Sequence, residues 1–166
     1  METIITLGTV LQGTAISLGM GASTLAILNF FVAIADGVVD PSERKLMGVV
    51  YIVLRVAMFL ILATAVILTV ANYQATGVVT IAAPQATLIA MLFINAILMT
   101  KKIMPSKFGP ALQASTWYTL GITTSLIPLG IVAASYGQFL LWYATIIVLA
   151  IATVNGVMSI LKKNKA

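Results

Sequence analysis

The chain has 166 residues, 61% of them hydrophobic and only 8% charged, with nine lysines and arginines against four acids. A soluble domain carries about a quarter charged residues, so this composition excludes an ordinary water-soluble fold and indicates a single membrane-embedded domain over residues 1–166. Cysteine and histidine are both absent, which removes disulfides, thiolate catalysis, sulfur-ligated metals and the commonest base and haem ligand at neutral pH.

A helix needs roughly 20 apolar residues to cross the hydrocarbon core. Five stretches reach that length, 3–35, 46–71, 81–100, 111–134 and 139–161. The predicted fold class is all-α, a polytopic membrane bundle of five transmembrane helices. The N-terminal "METIITLGTV" lacks a basic region and a cleavage pattern, so the first hydrophobic segment is expected to be retained.

The first span is longer than a bilayer requires. At ~1.5 Å per residue it reaches about 50 Å, against a core of about 30 Å. Its outer part is expected to lie in the interface, or the helix to tilt or kink near "SLGMGAS". Thr9, Gly13, Ser17 and Gly21 recur every four residues, a small-residue stripe that lets membrane helices approach closely. Asn29 lies about six residues, nearly two turns, before the helix end.

"ADGVVDPSERK", residues 35–45, follows. In calcium-loop register, Asp36, Asp40 and Glu43 occupy ligand positions, but Val32 and Ile34 fall where the first two acids belong. These three acids are therefore weak metal candidates, and no metal is expected. Helix punctuation uses every residue: Gly37 to end the first helix, Asp40 as N-cap, Pro41 in the first turn and Glu43 to close the capping box.

The second span contains Arg55, the one charge within any span, at a depth of about 13 Å. An intramembrane charge is a functional-site candidate by default. Snorkelling covers about half that distance, and Asp36 is the nearest acid. A freed backbone carbonyl, a lipid headgroup or a bound anion are the other partners, and Tyr51, one turn away, could stack on the guanidinium.

In the third span "QATLIAMLFINAI" aligns with "ASTLAILNFFVAI" at an offset of 63, pairing Thr24 with Thr87 and Phe30 with Phe93. This predicts two repeated helical hairpins plus one helix. Asn95 of this span, Asn29 and Asn155 of the fifth are each placed about 10 Å deep, and with Arg55 they could form one polar layer. The fourth span adds Gln113, Thr116, Thr119 and Thr123 at helical spacing, beside Trp117 and Tyr118, with Pro128 loosening its far end. The possible ligand or ion site thus comprises Arg55, Asn29, Asn95, Asn155, Tyr51, Gln113 and Thr116. The alternative for the same residues is interhelical hydrogen bonding.

Arg44 and Lys45, then Lys101, Lys102 and Lys107, then Lys162, Lys163 and Lys165 fall on one side of five spans. That is the positive-inside pattern. It predicts a multi-pass protein of a cell (inner or plasma) membrane, with the N-terminus outside and the C-terminus cytoplasmic. The basicity is a topology signal, so no nucleic-acid partner is expected.

The run "LGMGASTLAILNFFVAIADGVVDPSE", with "SKFGPALQASTWYTLGITTSLI" later in the chain, resembles an uncharacterised family of small bacterial multi-spanning integral membrane proteins. The shared features are a glycine-rich first helix, an aromatic pair, an acidic-glycine turn and a polar, aromatic fourth helix. Members with intramembrane histidines suggest haem. This chain has none, only Gln12 and Met99 among polar or sulfur-bearing residues, and no cofactor is expected.

With four acids and no nucleophile–base pair inside the bundle, enzymatic chemistry is not expected. The leading expectation is an accessory or assembly component acting through helix–helix association, with the lipid bilayer and a membrane-protein partner or a second copy of itself as partners and no soluble substrate evident. The alternative is a small transporter or channel for an anion or polar solute with Arg55 as the binding charge. A third is lipid binding by Arg55 with Lys45 or Lys101.

Overall fold

The computed structural model describes residues 2–36, 40–77, 83–105, 108–131, 133 and 135–163. They form α1 (Glu2–Asp36), α2 (Pro41–Thr76), α3 (Ala83–Thr100), α4 (Gly109–Leu126) and α5 (Tyr136–Lys163), with a 3-10 turn at Ile127–Leu129. The all-α expectation holds, and no strand occurs among the described residues.

Successive helices run antiparallel. Leu68 of α2 lies beside Gly8, Trp117 of α4 beside Gly19, and Met99 of α3 beside Gly109. Arg44 and Lys45, near the start of α2, and Lys101 and Lys102, just after α3, are exposed and define a basic end of the bundle.

The start of α2 follows the punctuation written in its sequence. Asp40 is the N-cap, its carboxylate accepting from the Glu43 amide at 2.7 Å. The Glu43 carboxylate accepts from the Asp40 amide at 3.1 Å, and Pro41 occupies the first helical position. Two of the three acids of the weak calcium candidate, Asp40 and Glu43, are thus engaged by the capping box. The Asp36 side chain and Gly37 lie outside the described residues.

The course of α1 and two helix boundaries are informative. α1 runs unbroken through "SLGMGAS" for 35 residues, so no helix break occurs there. α2 begins at Pro41 and runs 36 residues, because its polar first turn is capped rather than unravelled. α4 ends at Leu126 rather than at 134. Pro128 has no N–H to continue the ladder, so the chain tightens into the 3-10 turn. Gly130, at φ 71°, then closes it by donating to Ile127, a left-handed conformation that glycine adopts without a Cβ penalty.

The two hairpins are unequal. α1 and α2 have 35 and 36 residues, about 52 and 54 Å, while α3 and α4 have 18 each, about 27 Å. The aligned threonines nonetheless share one arrangement. Thr24 meets the Tyr118 hydroxyl, and Thr87 that of Tyr136, both at 2.7 Å.

Four helices, all but α4, are long and apolar enough to cross a membrane. α4 falls short because Gln113, Ser115, Thr116 and Thr119 line it, and all four are buried. It can carry them because α1, α3 and α5 pack around it. Outside, the pattern inverts: Phe59, Leu141, Val148 and Ile160 are each more than 60% exposed. An apolar exterior around a core that also buries polar side chains is unlike a water-soluble bundle and is compatible with a membrane protein.

The small-residue stripe of α1 is not where the bundle packs. Thr9, Gly13, Ser17 and Gly21 are all exposed, and nothing lies near a Cβ built on either glycine. The packed stripe is the neighbouring one, Gly8, Gln12, Ala15, Gly19, Ala22 and Ser23, every member buried. At Gly19 the fit is closest, since a Cβ there would overlap the indole of fully buried Trp117.

Candidate functional site

Near the basic end, α1 to α4 line an open cavity of about 300 Å³, among whose lining residues Tyr51, Arg55 and Thr100 are exposed. Its polar wall is Ser23, Tyr51, Arg55, Thr100 and Gln113, and its apolar wall includes Ala26, Leu54, Met58, Ala96 and Met99. Tyr51 and Arg55 face it together because they are one turn apart on α2. Thr100, the last residue of α3, and Pro110, the second of α4, line the same space. Arg55 therefore stands near the ends of the short helices, although 14 residues of α2 precede it. α1 and α2 run on past those ends.

Behind the cavity lies an amide cluster. Asn95 Nδ2 donates to Gln113 Oε1 at 2.8 Å and to the Gly109 carbonyl at 3.0 Å. Gln113 Nε2 points at the Met58 thioether, 3.6 Å away. These bonds fix both amides: turning Asn95 over would set its oxygen against the Gly109 carbonyl. Two consequences follow. Asn95 Oδ1 is left buried without a partner, and Gln113 presents an N–H at the cavity wall with only a weak sulfur acceptor.

The Arg55 guanidinium makes no hydrogen bond, ion pair or ring contact among the described residues. The expected stacking with Tyr51 is not formed, although both line the cavity. The cavity thus holds a guanidinium with no carboxylate facing it among the described residues.

The proposed layer assembles only in part. Arg55, Tyr51 and Gln113 share the cavity, and Asn95 stands behind it. Asn29 lies at helical spacing from Ala22 and Ala26, and its Nδ2 is buried without a partner. Asn155 is half-buried on α5 and does not line the cavity. α5 at that level packs Val154 and Met158 against Ala111, so α4 stands between it and Arg55. Thr116 is also elsewhere: its hydroxyl donates to the Leu112 carbonyl at 2.7 Å and meets the Tyr143 hydroxyl at 2.7 Å. A threonine hydroxyl has one proton, so Tyr143 is the donor in that second bond.

No family model, curated protein or solved structure matches the chain. The site therefore stands on its own residues. No cluster of three or more histidine, cysteine, aspartate or glutamate side chains occurs among the described residues.

Sequence reasoning missed a second cavity of about 370 Å³ at the opposite end, where Gln85, Thr119, Thr123, Tyr136 and Trp142 contribute to the wall. It forms because α4 stops short at Leu126. The proline and glycine at 128 and 130 carried that signal, but a span drawn to residue 134 concealed it. Tyr143 had no signal, being one aromatic among many apolar residues.

Proposed function

We propose that the chain is a multi-pass protein of an inner or plasma membrane that binds an anionic or polar solute in the cavity at its basic end, as a small transporter or channel. The observation that carries this reading is the Arg55 guanidinium, without a protein partner among the described residues, on a cavity shared with the Gln113 amide. Both offer N–H donors, and unopposed donors beside a positive charge favour an anion or a carbonyl oxygen. All five helices cross the bilayer in this reading, α4 shielded by its neighbours. The basic end faces the cytoplasm by the positive-inside rule, with the N-terminus outside. No catalytic step is proposed.

Uptake by proteoliposomes of a panel of small anions (chloride, phosphate, acetate, benzoate) tests it. Wild-type protein is expected to pass at least one, and Arg55→Gln to reduce that flux at least tenfold with helical content unchanged. Equal flux through both proteins, or none through wild type, would overturn the reading.

A second reading, an accessory component acting through helix association, is favoured by the exposed Thr9, Gly13, Ser17 and Gly21 face. Single-molecule photobleaching in liposomes addresses it directly. A strictly monomeric protein that retains no partner on gentle extraction would sink it.

A further inference from the structure

The two cavities share one wall, a single face of α4. Gln113, Thr116, Leu120 and Thr123 follow one another at intervals of three, four and three residues, which keeps them on one side of a helix. Gln113 belongs to the cavity at the basic end, and Leu120 and Thr123 to the cavity at the opposite end. Gln113 and Thr119, the nearest wall residues of the two along α4, are six positions apart, about 9 Å.

Only Thr116 of this polar face belongs to neither cavity. It is fully buried and bonded to the Tyr143 hydroxyl of α5. Tyr143 stacks on Phe139, which lines the second cavity. From α3, Leu88 and Leu92 pack into the same cluster as Leu120 and Tyr143. The partition is thus the Thr116–Tyr143 hydroxyl pair set within a buried apolar cluster that includes Leu88, Leu92 and Leu120.

The second cavity has hydroxyls, an amide and aromatic rings, and no charged residue among the described residues of its wall. A bare inorganic anion would find no opposite charge there, only neutral hydroxyl and amide donors. A small organic acid, with one acidic group and an apolar body, suits both spaces, whose volumes sit at the low end for small-molecule sites.

Resting on the solute-binding reading above, we infer that the second cavity is the other mouth of one route for a small organic acid, closed between the mouths by the Thr116–Tyr143 contact. Arg55 draws the acidic group at the basic mouth. The neutral mouth receives the apolar body, and passage requires the hydroxyl pair to part.

The chain has no cysteine, so single cysteines report without background. In proteoliposomes of sorted orientation, Thr100→Cys and Thr123→Cys are treated with membrane-impermeant methanethiosulfonate reagents, one sulfonated and one quaternary-ammonium. Thr100→Cys is expected to react from the basic side only, and Thr123→Cys from the opposite side only. Adding Tyr143→Ala should raise the reactivity of Thr100→Cys from the opposite side at least tenfold. If that variant does not fold, Thr116→Ala serves instead. Unchanged one-sided reactivity in a folded gate variant would overturn the route, as would an unreactive Thr123→Cys. The Arg55 reading fails separately: the sulfonated reagent should modify Thr100→Cys faster than the cationic one, and Arg55→Gln should erase that preference. Loss of the route with the preference intact leaves a one-mouthed anion site. An open route without the preference removes Arg55 as its charge.

Discussion

The close approach of Gly19 to Trp117 offers the cleanest measurement of how α1 meets α4. Gly19→Ala places a methyl group inside van der Waals contact with the six-membered ring of the indole. That ring is fully buried and has nowhere to swing, so α1 and α4 must separate by about 1 Å at a packing density that resists it. Overpacking of this kind costs about 1–3 kcal/mol. The same substitution at Gly13 is the control, because a Cβ there meets nothing. Any gain in helix propensity is common to the two variants and cancels in their difference. The expected difference is therefore about 1–3 kcal/mol, or roughly 5- to 150-fold in the unfolding equilibrium. Dodecyl sulfate titration in mixed micelles, followed by helical circular dichroism, reads it out. Trp117→Leu should recover part of the Gly19→Ala loss by vacating the ring's space. Identical unfolding midpoints for Gly19→Ala and Gly13→Ala would refute the packing described for α1 and α4.

Three further outcomes use the same assay. Asn95→Ala strips the donor from Gln113 Oε1 and the Gly109 carbonyl and is expected to cost about 1–2 kcal/mol. Gln113→Ala added to it should cost little more, since the bond is already gone. Asp40→Ala removes the N-cap of α2 and should lower stability by about 1 kcal/mol, with faster amide exchange confined to the first turn of α2. Gly130→Ala forces a side chain to φ 71° and should cost about 1 kcal/mol, with no comparable loss for Gly137→Ala, where a Cβ has room.

What could be read from the sequence was whatever the bilayer or the backbone dictates locally. The four most apolar helices are legible because solvent transfer alone requires them, and the Asp40–Pro41–Glu43 cap because its partners are three residues apart. The rotation of α1 was not. Two small-residue stripes, one through Gly13 and one through Gly19, sit side by side on the helix, and only the position of Trp117 selects between them. The site divided along the same line. Tyr51 and Arg55 are neighbours by helical spacing, so their shared wall was foreseeable. Asn155 was placed with them by depth alone, and depth does not say which helices stand between. Thr116 was assigned to the polar layer by its periodicity, but its partner Tyr143 is 27 positions away, a pairing that only the packing of α5 creates.

The unequal helix lengths bear on how a bilayer would accommodate this protein. The apolar part of α1 extends over 31 residues, about 46 Å. Tilt alone would have to reach about 50° to fit a 30 Å core, beyond the range of roughly 0–40° seen for membrane helices. α3, at about 27 Å, fits a core of that thickness upright. One molecule thus asks for a thick leaflet pair beside α1 and α2 and a thin one beside α3. The lipid around it would form a collar of uneven height, thickest along the long hairpin and pinched next to the two cavities. Acyl-chain length then becomes a control variable: short-chain lipids relax the pinched side, long-chain lipids relax the other, and no uniform bilayer satisfies both.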